Sequence, residues 1–385
     1  MSAEPAENER PVAPLELFFD LVFVFGFTQV TTLLSAHPTW TGLGHALLIL
    51  TALWWAWASY AWLTNAIDAD VGLVLAAILA AMGAMFVAAL AVPEAFGDEG
   101  VVFGVAFLIV NVVQAWIYAL GAGSDRDLLG AITRVTPWMM GGSLLILGAG
   151  FTHGSYRTVL WIVALALGFF GPALLRLEGW RVQPAHFVER HGLIVIIAIG
   201  ESLIAIGLGA RGAHLDGGLI LSAVLGLIVV ISFWLAYFDF FQIRGRQMLS
   251  NRSGQERVAI ARDVFTYLHL PMVVGIVLFA FAMKTTLAHR HDELSTVKAV
   301  ALCGGPALYL FAYVALRFRV SRSFGRGRLV AAIACAALIP VAVIVPALAA
   351  LALVAGVVVA LHAYELIWWR EARAEAHAQR YPVQT

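Results

Sequence analysis

The chain has 385 residues, of which 61% are hydrophobic and only 12% are charged, whereas soluble domains usually carry about 25% charged residues. This composition predicts a polytopic integral membrane protein and excludes an ordinary soluble domain. The formal net charge is zero, so no nucleic-acid partner is expected. Cys303 and Cys335 lie in apolar runs without motif spacing, which argues against a structural disulfide.

A transmembrane helix needs about 20 apolar residues, and the sequence contains twelve candidate spans. Pro340 and Pro346 are expected to divide the last long apolar run into two of them, because proline removes a backbone donor and kinks a helix. The alternative is one long kinked helix and eleven spans. The twelve candidates lie near residues 15–36, 41–64, 71–92, 101–121, 135–151, 157–176, 187–209, 217–241, 264–284, 299–317, 329–346 and 348–369.

The distribution of basic residues predicts the orientation. With twelve spans and a cytoplasmic N-terminus, most of the 24 lysines and arginines fall on the cytoplasmic side, as the positive-inside rule requires. Both termini are therefore predicted to be cytoplasmic tails, over residues 1–14 and 370–385. The acidic N-terminal tail contains proline and lacks the apolar core of a signal peptide.

The two halves of the membrane region, residues 15–176 and 177–369, look related. Gly26 in the first span aligns with Gly200 in the seventh, and the W-x-small-Y pattern that begins at Trp57 recurs in the eighth span. These matches favour a six-plus-six duplication. Because six is an even number, the two halves would be parallel repeats with a central site between them, as in some transporters.

Four motifs are spread over both halves of the chain: ELFFDLVFVFGFTQVT (Glu16–Thr31), ERHGLIVIIAIGESLIAIG (Glu189–Gly207), FWLAYFD (Phe233–Asp239) and ARDVFTYLHLPMVVGIVL (Ala261–Leu278). Together they resemble the motifs of the bacterial low temperature requirement A family of membrane proteins. The family is named after a growth trait in the cold and not after a biochemical activity. The resemblance therefore implies a polytopic helical bundle in a bacterial cytoplasmic membrane, and it implies no catalytic residue, cofactor or substrate.

The pattern FFD-x-V-F-x-F in the first span is similar to the F-S-D-x-x-F-A motif of endolysosomal-type potassium channels, which are also built from six-span repeats. In this chain Phe19 replaces the serine of that motif, and the second half has no matching aspartate. Both departures argue against a channel.

Glu16 and Asp20 are four residues apart in the first span, so their carboxylates lie on the same helix face. One interpretation is the cytoplasmic mouth of a cation or proton path. The other is that the helix dipole favours carboxylates near the N-terminus and that arginines of another span pair with them.

Glu201 is predicted near the middle of the seventh span, about 15 Å along the helix from Arg190 and His191 at 1.5 Å per residue. A charge at that depth is costly and usually faces a bundle interior or a water-filled cavity. Desolvation disfavours the charged form of a carboxyl, so Glu201 can exchange protons there, with Ser202 as a neighbouring hydroxyl. The alternative is a permanently neutral Glu201 that only joins helices.

Other polar residues lie at span ends or within later spans. Asp239 is near the end of the eighth span, and Asp263 begins the ninth. His269 lies about two turns into the ninth span, where it can relay protons or simply bond a backbone carbonyl. His362 and Glu365 share a face of the last span and can pair with each other.

The sequence contains no ATP-binding motif and no metal-ligand set, so neither a cofactor nor a resident metal is expected. The first hypothesis is an ion- or proton-coupled secondary transporter, with Glu201 and Asp20 as central acids and His191 and His269 as relays. The alternatives are an ion channel and an intramembrane enzyme or lipid-handling protein; the lack of aspartate-rich motifs disfavours an enzyme. The expected partners are membrane lipids and a small ion or small molecule, whose identity remains open, as does the oligomeric state.

Overall fold

Helices account for nearly all regular structure in the computed structural model, which describes residues 11–68, 72–174, 178–239 and 241–368. Within these ranges no β-strand is present, and Glu293 and Pro346 form an isolated β-bridge. The chain is therefore all-α, as predicted. Residues 1–10 of the expected N-terminal tail and the whole of the expected C-terminal tail lie outside the described residues.

Six long helices form the first part of the chain. Asp125 shows how the sequence starts one of them: its carboxylate accepts hydrogen bonds from the backbone N–H groups of Asp127 and Leu128. These N–H groups have no partner within the helix, so the bonds stabilise its first turn. The six helices are α1 (Pro14–Ala36), α2 (Trp40–Ala66), α3 (Gly72–Ala91), α4 (Gly100–Ala122), α5 (Arg126–Gly150) and α6 (Gly154–Leu174).

The rest of the described chain contains both long and short helices. Segments of π-helix, Ala261–Tyr267 and Val300–Gly304, lead into two of the long ones. The helices are α7 (Pro184–Gly209), α8 (Gly217–Phe238), α9 (Phe241–Ser250), α10 (Gly254–Ile260), α11 (His269–Thr286), α12 (Thr296–Ala299), α13 (Gly305–Ser321), α14 (Arg326–Ala337), α15 (Ile339–Ala342) and α16 (Ala347–Trp368).

Ten helical segments among the described residues are long and apolar enough to cross a membrane. The predicted fifth and eleventh spans are not among them. Helix α5 is 25 residues long, but Arg134, Pro137 and several threonines and glycines dilute its apolar residues. Helix α14 has only 12 residues, which is shorter than the hydrocarbon core of a bilayer requires.

The last long apolar run is divided, and the described chain does not form one helix over residues 329–368. Helix α15 ends at Ala342, and α16 begins at Ala347. The N–H groups of Ala347 and Leu348 donate to the backbone oxygens of Asp292 and Arg290, both over 2.9 Å. The N–H groups that begin α16 are thereby satisfied by the loop before α12.

The described residues pack as two units. The first comprises residues up to Leu33, Gly44–Ile194 and Leu249–Arg262, and the second comprises Leu34–Leu43, Val195–Met248 and the residues from Asp263 onwards. Helix α7 contributes its residues up to Ile194 to the first unit and its later residues to the second. The two predicted six-helix halves remain a prediction.

Aromatic side chains fill the core of the first unit. Trp54, Trp57 and Tyr60 of α2 are almost completely buried. The ring of Tyr60 stacks on Phe19 at 4.8 Å, and its hydroxyl donates to the backbone oxygen of Val110 over 2.9 Å. These three rings of α2 are therefore part of the packed core, where large rings contribute much buried area.

Candidate functional site

Four charged or titratable side chains meet in the interior of the first unit. Glu16 and Asp20 lie one turn apart on α1, and His186 and Arg190 lie one turn apart on α7. All four are at most 4% exposed, and we call them the buried cluster. The same four-residue spacing on both helices lets two neighbouring side chains of one helix meet two of the other.

Asp20 accepts a hydrogen bond at each carboxylate oxygen. Nη1 of Arg190 donates to Oδ2 over 2.8 Å, and Nε1 of Trp57 donates to Oδ1 over 2.9 Å. The same Nη1 also donates to the backbone oxygen of Glu16 over 2.9 Å. These donors suit an ionised Asp20, because a carboxylate only accepts hydrogen bonds.

Glu16 is held by contacts from both helices. Its Oε2 accepts from the backbone N–H of Ala13 over 3.0 Å and lies 2.9 Å from Nε2 of His186. Its Oε1 lies 3.6 Å from Nε of Arg190, which is an ion-pair distance and too long for a hydrogen bond. Arg190 thus pairs closely with Asp20 and more loosely with Glu16.

Asn65 decides which nitrogen of His186 carries the proton. Its Oδ1 accepts from the backbone N–H of Gln183 over 2.9 Å, and its Nδ2 donates to the backbone oxygen of Gln183 over 3.1 Å. This pair of bonds fixes the amide orientation. Nδ2 also lies 3.1 Å from Nδ1 of His186, which must therefore accept. His186 is thus a neutral imidazole that donates from Nε2 to Glu16.

His191 lies beside the buried cluster. Its Nδ1 donates to the backbone oxygen of Phe187 over 2.8 Å, and its ring meets that of Trp57 edge to face at 4.9 Å. Trp57 in turn donates to Asp20. The predicted relay therefore contacts the indole that donates to the carboxylate of Asp20.

Glu201, the acid predicted to be central, belongs to the second unit. It is completely buried, as is Ser202, whose hydroxyl donates to the backbone oxygen of Ile276 over 3.4 Å. The carboxylate of Glu201 acts electrostatically on the ammonium group of Lys284, near the end of α11. The predicted site residues are therefore distributed over two units.

His269 is also buried in the second unit. Its Nδ1 lies 2.8 Å from the backbone oxygen of Val264, within the π-helical segment, and its Nε2 lies 3.0 Å from the hydroxyl of Tyr237. Because a carbonyl oxygen only accepts, Nδ1 carries the proton, and the hydroxyl of Tyr237 donates to Nε2 when the ring is neutral.

The two remaining predicted acids lie at helix ends. Asp239 follows the last residue of α8, and its backbone N–H donates to the oxygen of Leu235. Asp263 forms a partly exposed ion pair with Arg319, whose Nη2 lies 2.8 Å from Oδ2. Neither of these acids belongs to the buried cluster.

A second ion pair, which is largely buried, lies in the second unit. Nε and Nη2 of Arg328 donate to the two oxygens of Glu365 over 2.6 and 3.3 Å, and Nη1 donates to the backbone oxygen of Ala236. The guanidinium lies 3.7 Å from the ring centroid of Tyr313. His362, which the sequence paired with Glu365, has its Nδ1 at 3.7 Å from Oε2. In this pair, the negative charge of Glu365 balances the positive charge of Arg328.

Three residues of these networks are not expected from the sequence. Asn65 has no signal in the sequence, and Arg328 lies between the tenth and eleventh predicted spans, where no buried role is expected. His186 could have been found, because it precedes Arg190 by four residues as Glu16 precedes Asp20. Within the described residues, no group of three or more His, Cys, Asp or Glu side chains could hold a metal ion.

Comparisons with known proteins agree with the sequence motifs. Residues 11–363 match the family described as bacterial low temperature requirement A protein (LtrA). An uncharacterized protein of Rhizobium meliloti (strain 1021), RA0937, is 31% identical over 306 residues, which cover 77% of this chain and 74% of that protein. No solved structure matches the chain. The chain, whose apolar helices indicate a multi-pass membrane protein, therefore belongs to the bacterial low temperature requirement A family.

Proposed function

We propose that the protein is a proton-coupled secondary transporter of the cytoplasmic membrane and that the buried cluster is its protonation site. One observation carries the proposal: the cluster holds two carboxylates against one guanidinium and a neutral imidazole. With both acids ionised, Glu16, Asp20, His186 and Arg190 together carry one excess negative charge. One proton makes this buried group neutral.

The excess charge matters because the cluster is buried. Removing an ion from water costs several kcal/mol unless an opposite charge compensates it, and the charged neighbours of Asp20 are Arg190 and Glu16. In the second unit, Arg328 and Glu365 already compensate each other. A structural ion pair needs no additional proton, whereas the buried cluster needs one.

The excess negative charge of the buried cluster also supplies a mechanism for coupling proton binding to transport. A bound proton and a cationic solute would compete for the single excess charge of Glu16 and Asp20. Each would stabilise the conformation in which it binds more tightly, and this differential binding is what shifts a transporter between conformations. The protein would then exchange protons for a small cation across the membrane.

We also propose that α5 and the pair α14–α15 complete twelve membrane helices in a six-plus-six arrangement, with both termini cytoplasmic. The 25 residues of α5 would extend about 37 Å at 1.5 Å per residue, and most basic residues then lie on the cytoplasmic side. Reporter fusions after α4, α5, α13 and α16 test this topology. A fusion after α4 that reports the same side as one after α5 contradicts it.

The transport proposal is tested with purified protein reconstituted into lipid on a solid-supported membrane. A rapid pH drop should cause a transient charge displacement, which Glu16→Gln and Asp20→Asn abolish and the exposed control Glu256→Gln retains. Candidate cations are then supplied one at a time, and a transported cation should move protons in the opposite direction. Undiminished displacement in both cluster variants, or unitary channel currents in planar bilayers, contradicts the proposal.

A further inference from the structure

A cavity of about 440 Å³ lies in the first unit, next to the buried cluster. It is lined by the last residues of α2, the start of α5, the segment before α7 and the helix α10. Its polar lining includes Asp125, Arg181 and Arg257, and Arg181 and Asp125 form an exposed ion pair at 3.3 Å. These charged side chains make the cavity suitable for water.

Asn65 stands between this cavity and the buried cluster. It lines the cavity together with Gln183, yet it is only 3% exposed. Its Nδ2 also lies 3.1 Å from Nδ1 of His186, which is not among the residues that line the cavity. The hydrogen-bonded path from the cavity to Glu16 therefore passes through Asn65 and the imidazole of His186.

We propose that the cavity is the aqueous vestibule through which protons reach the buried cluster, and that Asn65 is the positioning residue that closes it. The role of the cavity as a vestibule rests on the proposed function, whereas the position of the proton on the His186 ring does not. While the Asn65 amide donates to Nδ1, a proton on that nitrogen would place two donors 3.1 Å apart, which is unfavourable. The amide thus blocks His186 on the cavity side.

Displacement of the amide would open the path. A hydronium ion in the cavity gives a proton to Nδ1 of His186, and the imidazolium passes its Nε2 proton to the carboxylate of Glu16. One O–H bond of hydronium and one N–H bond break, while one N–H and one O–H bond form. The neutral ring then carries its proton on Nδ1, so the amide cannot return until the ring has reset.

Several charges act on His186 during such a transfer. Glu16, Asp20 and Arg190 face its Nε2 side from α1 and α7. Across the cavity lie Asp125 at the start of α5, Arg181 before α7 and Arg257 of α10. Of these groups, the carboxylate of Glu16 is the one in direct contact and would favour the imidazolium, so the block must come from Asn65.

The test uses full-length protein labelled with ¹⁵N-histidine in lipid, with the signal of His186 identified by its loss in His186→Gln. In the wild type, the ring of His186 should carry its proton on Nε2, because Nδ1 accepts from the Asn65 amide. In Asn65→Ala, Nδ1 loses this donor, and a signal of protonated Nδ1 should appear. The matched control is Asn111→Ala, a buried asparagine of α4 that donates within its own helix.

The vestibule is tested separately with Asn65→Cys, which a small water-soluble thiosulfonate should modify, whereas Asn111→Cys should not react. A wild-type His186 that carries a proton on Nδ1 overturns the positioning role even if no variant folds. An unreactive Asn65→Cys in folded protein overturns the vestibule. If His186 behaves as expected but pH jumps displace no charge, the proposed transport fails while the role of Asn65 in setting the state of His186 stands.

Discussion

Arg190 on α7 donates from Nη1 to Oδ2 of Asp20 on α1 over 2.8 Å, and both side chains are completely enclosed. Removal of Arg190 would leave the charges of Asp20 and Glu16 uncompensated in the interior, whereas removal of Asp20 would leave Glu16 to balance Arg190. An uncompensated buried charge is more costly than the loss of an exposed ion pair, because water cannot replace the missing partner. This relationship connects the stability of the first unit to the charge of the buried cluster.

Arg190→Gln should lower the free energy of unfolding by about 3–5 kcal/mol, the typical cost of breaking a buried pair. The double variant Arg190→Met with Asp20→Leu should recover part of that loss. Thermal unfolding in detergent measures both. As a control, Arg252→Gln removes a largely exposed pair with Glu256 and should change stability by less than about 1 kcal/mol; equal losses in both variants contradict the prediction.

The Arg328–Glu365 pair should matter for stability and not for proton binding. Glu365→Gln should lower the melting temperature because it leaves the buried guanidinium of Arg328 without its acid. At a temperature where the variant is folded, the charge displacement after a pH jump should equal that of the wild type. Loss of the charge displacement in folded Glu365→Gln would indicate that the protonation site lies in the second unit instead.

Gly275 and Gly305 are expected to be intolerant of any side chain. A Cβ atom on Gly275 would lie 2.5 Å from the backbone oxygen of Gly305, and one on Gly305 would lie 2.6 Å from that of Gly275. Gly275→Ala must therefore separate α11 from α13 and should cost about 1–3 kcal/mol, as overpacking does. Gly356→Ala meets nothing within 4 Å and should be neutral or stabilising; thermal unfolding distinguishes the two.

Arg157 should hold together the ends of three segments. It is buried and donates to the backbone oxygens of Gly97, Ala149 and Thr152 over 2.6, 3.2 and 2.7 Å. Arg157→Met should cost about 2 kcal/mol or more, since each hydrogen bond from a charged group contributes about 1.5–3 kcal/mol. The exposed Arg211→Met is the control, and similar melting temperatures of these two variants would contradict the role of Arg157.

The cap of α8 should give a pH-dependent contribution to stability. The backbone N–H of Leu219 donates to Asp216 over 2.8 Å and, with the charge of Arg290, lowers the pKa of that carboxyl below its usual value of 3.8. Because the pKa of Asp216 is lower in the folded state than in the unfolded chain, the cap stabilises the protein at pH values above the ordinary pKa. This stabilisation is lost as the pH falls through the lowered pKa of the folded state. Asp216→Ala should therefore melt below the wild type at neutral pH, and the gap should narrow under strongly acidic conditions. A difference in melting temperature that widens at acidic pH contradicts this prediction.

The sequence by itself determined the class of the protein. Runs of about 20 apolar residues can cross a bilayer only as helices or closed barrels, and the helical runs are long enough to predict nearly every long helix. The motif from Glu16 to Thr31 indicated the family. The spacing of Glu16 and Asp20 placed both carboxylates on one face, because helical periodicity is a local property of the chain.

Only the tertiary structure decided which faces meet. Glu16 and His186 are separated by 170 residues, and Asn65 and His186 by 121, so no local pattern connects them. Apolar spans of similar composition can pack in many pairings, and the choice depends on complementary surfaces such as the contact between Gly275 and Gly305. The proton deficit of the buried cluster therefore arises from packing: α7 brings one arginine and one neutral histidine to two acids of α1, and Asn65 decides the state of that histidine.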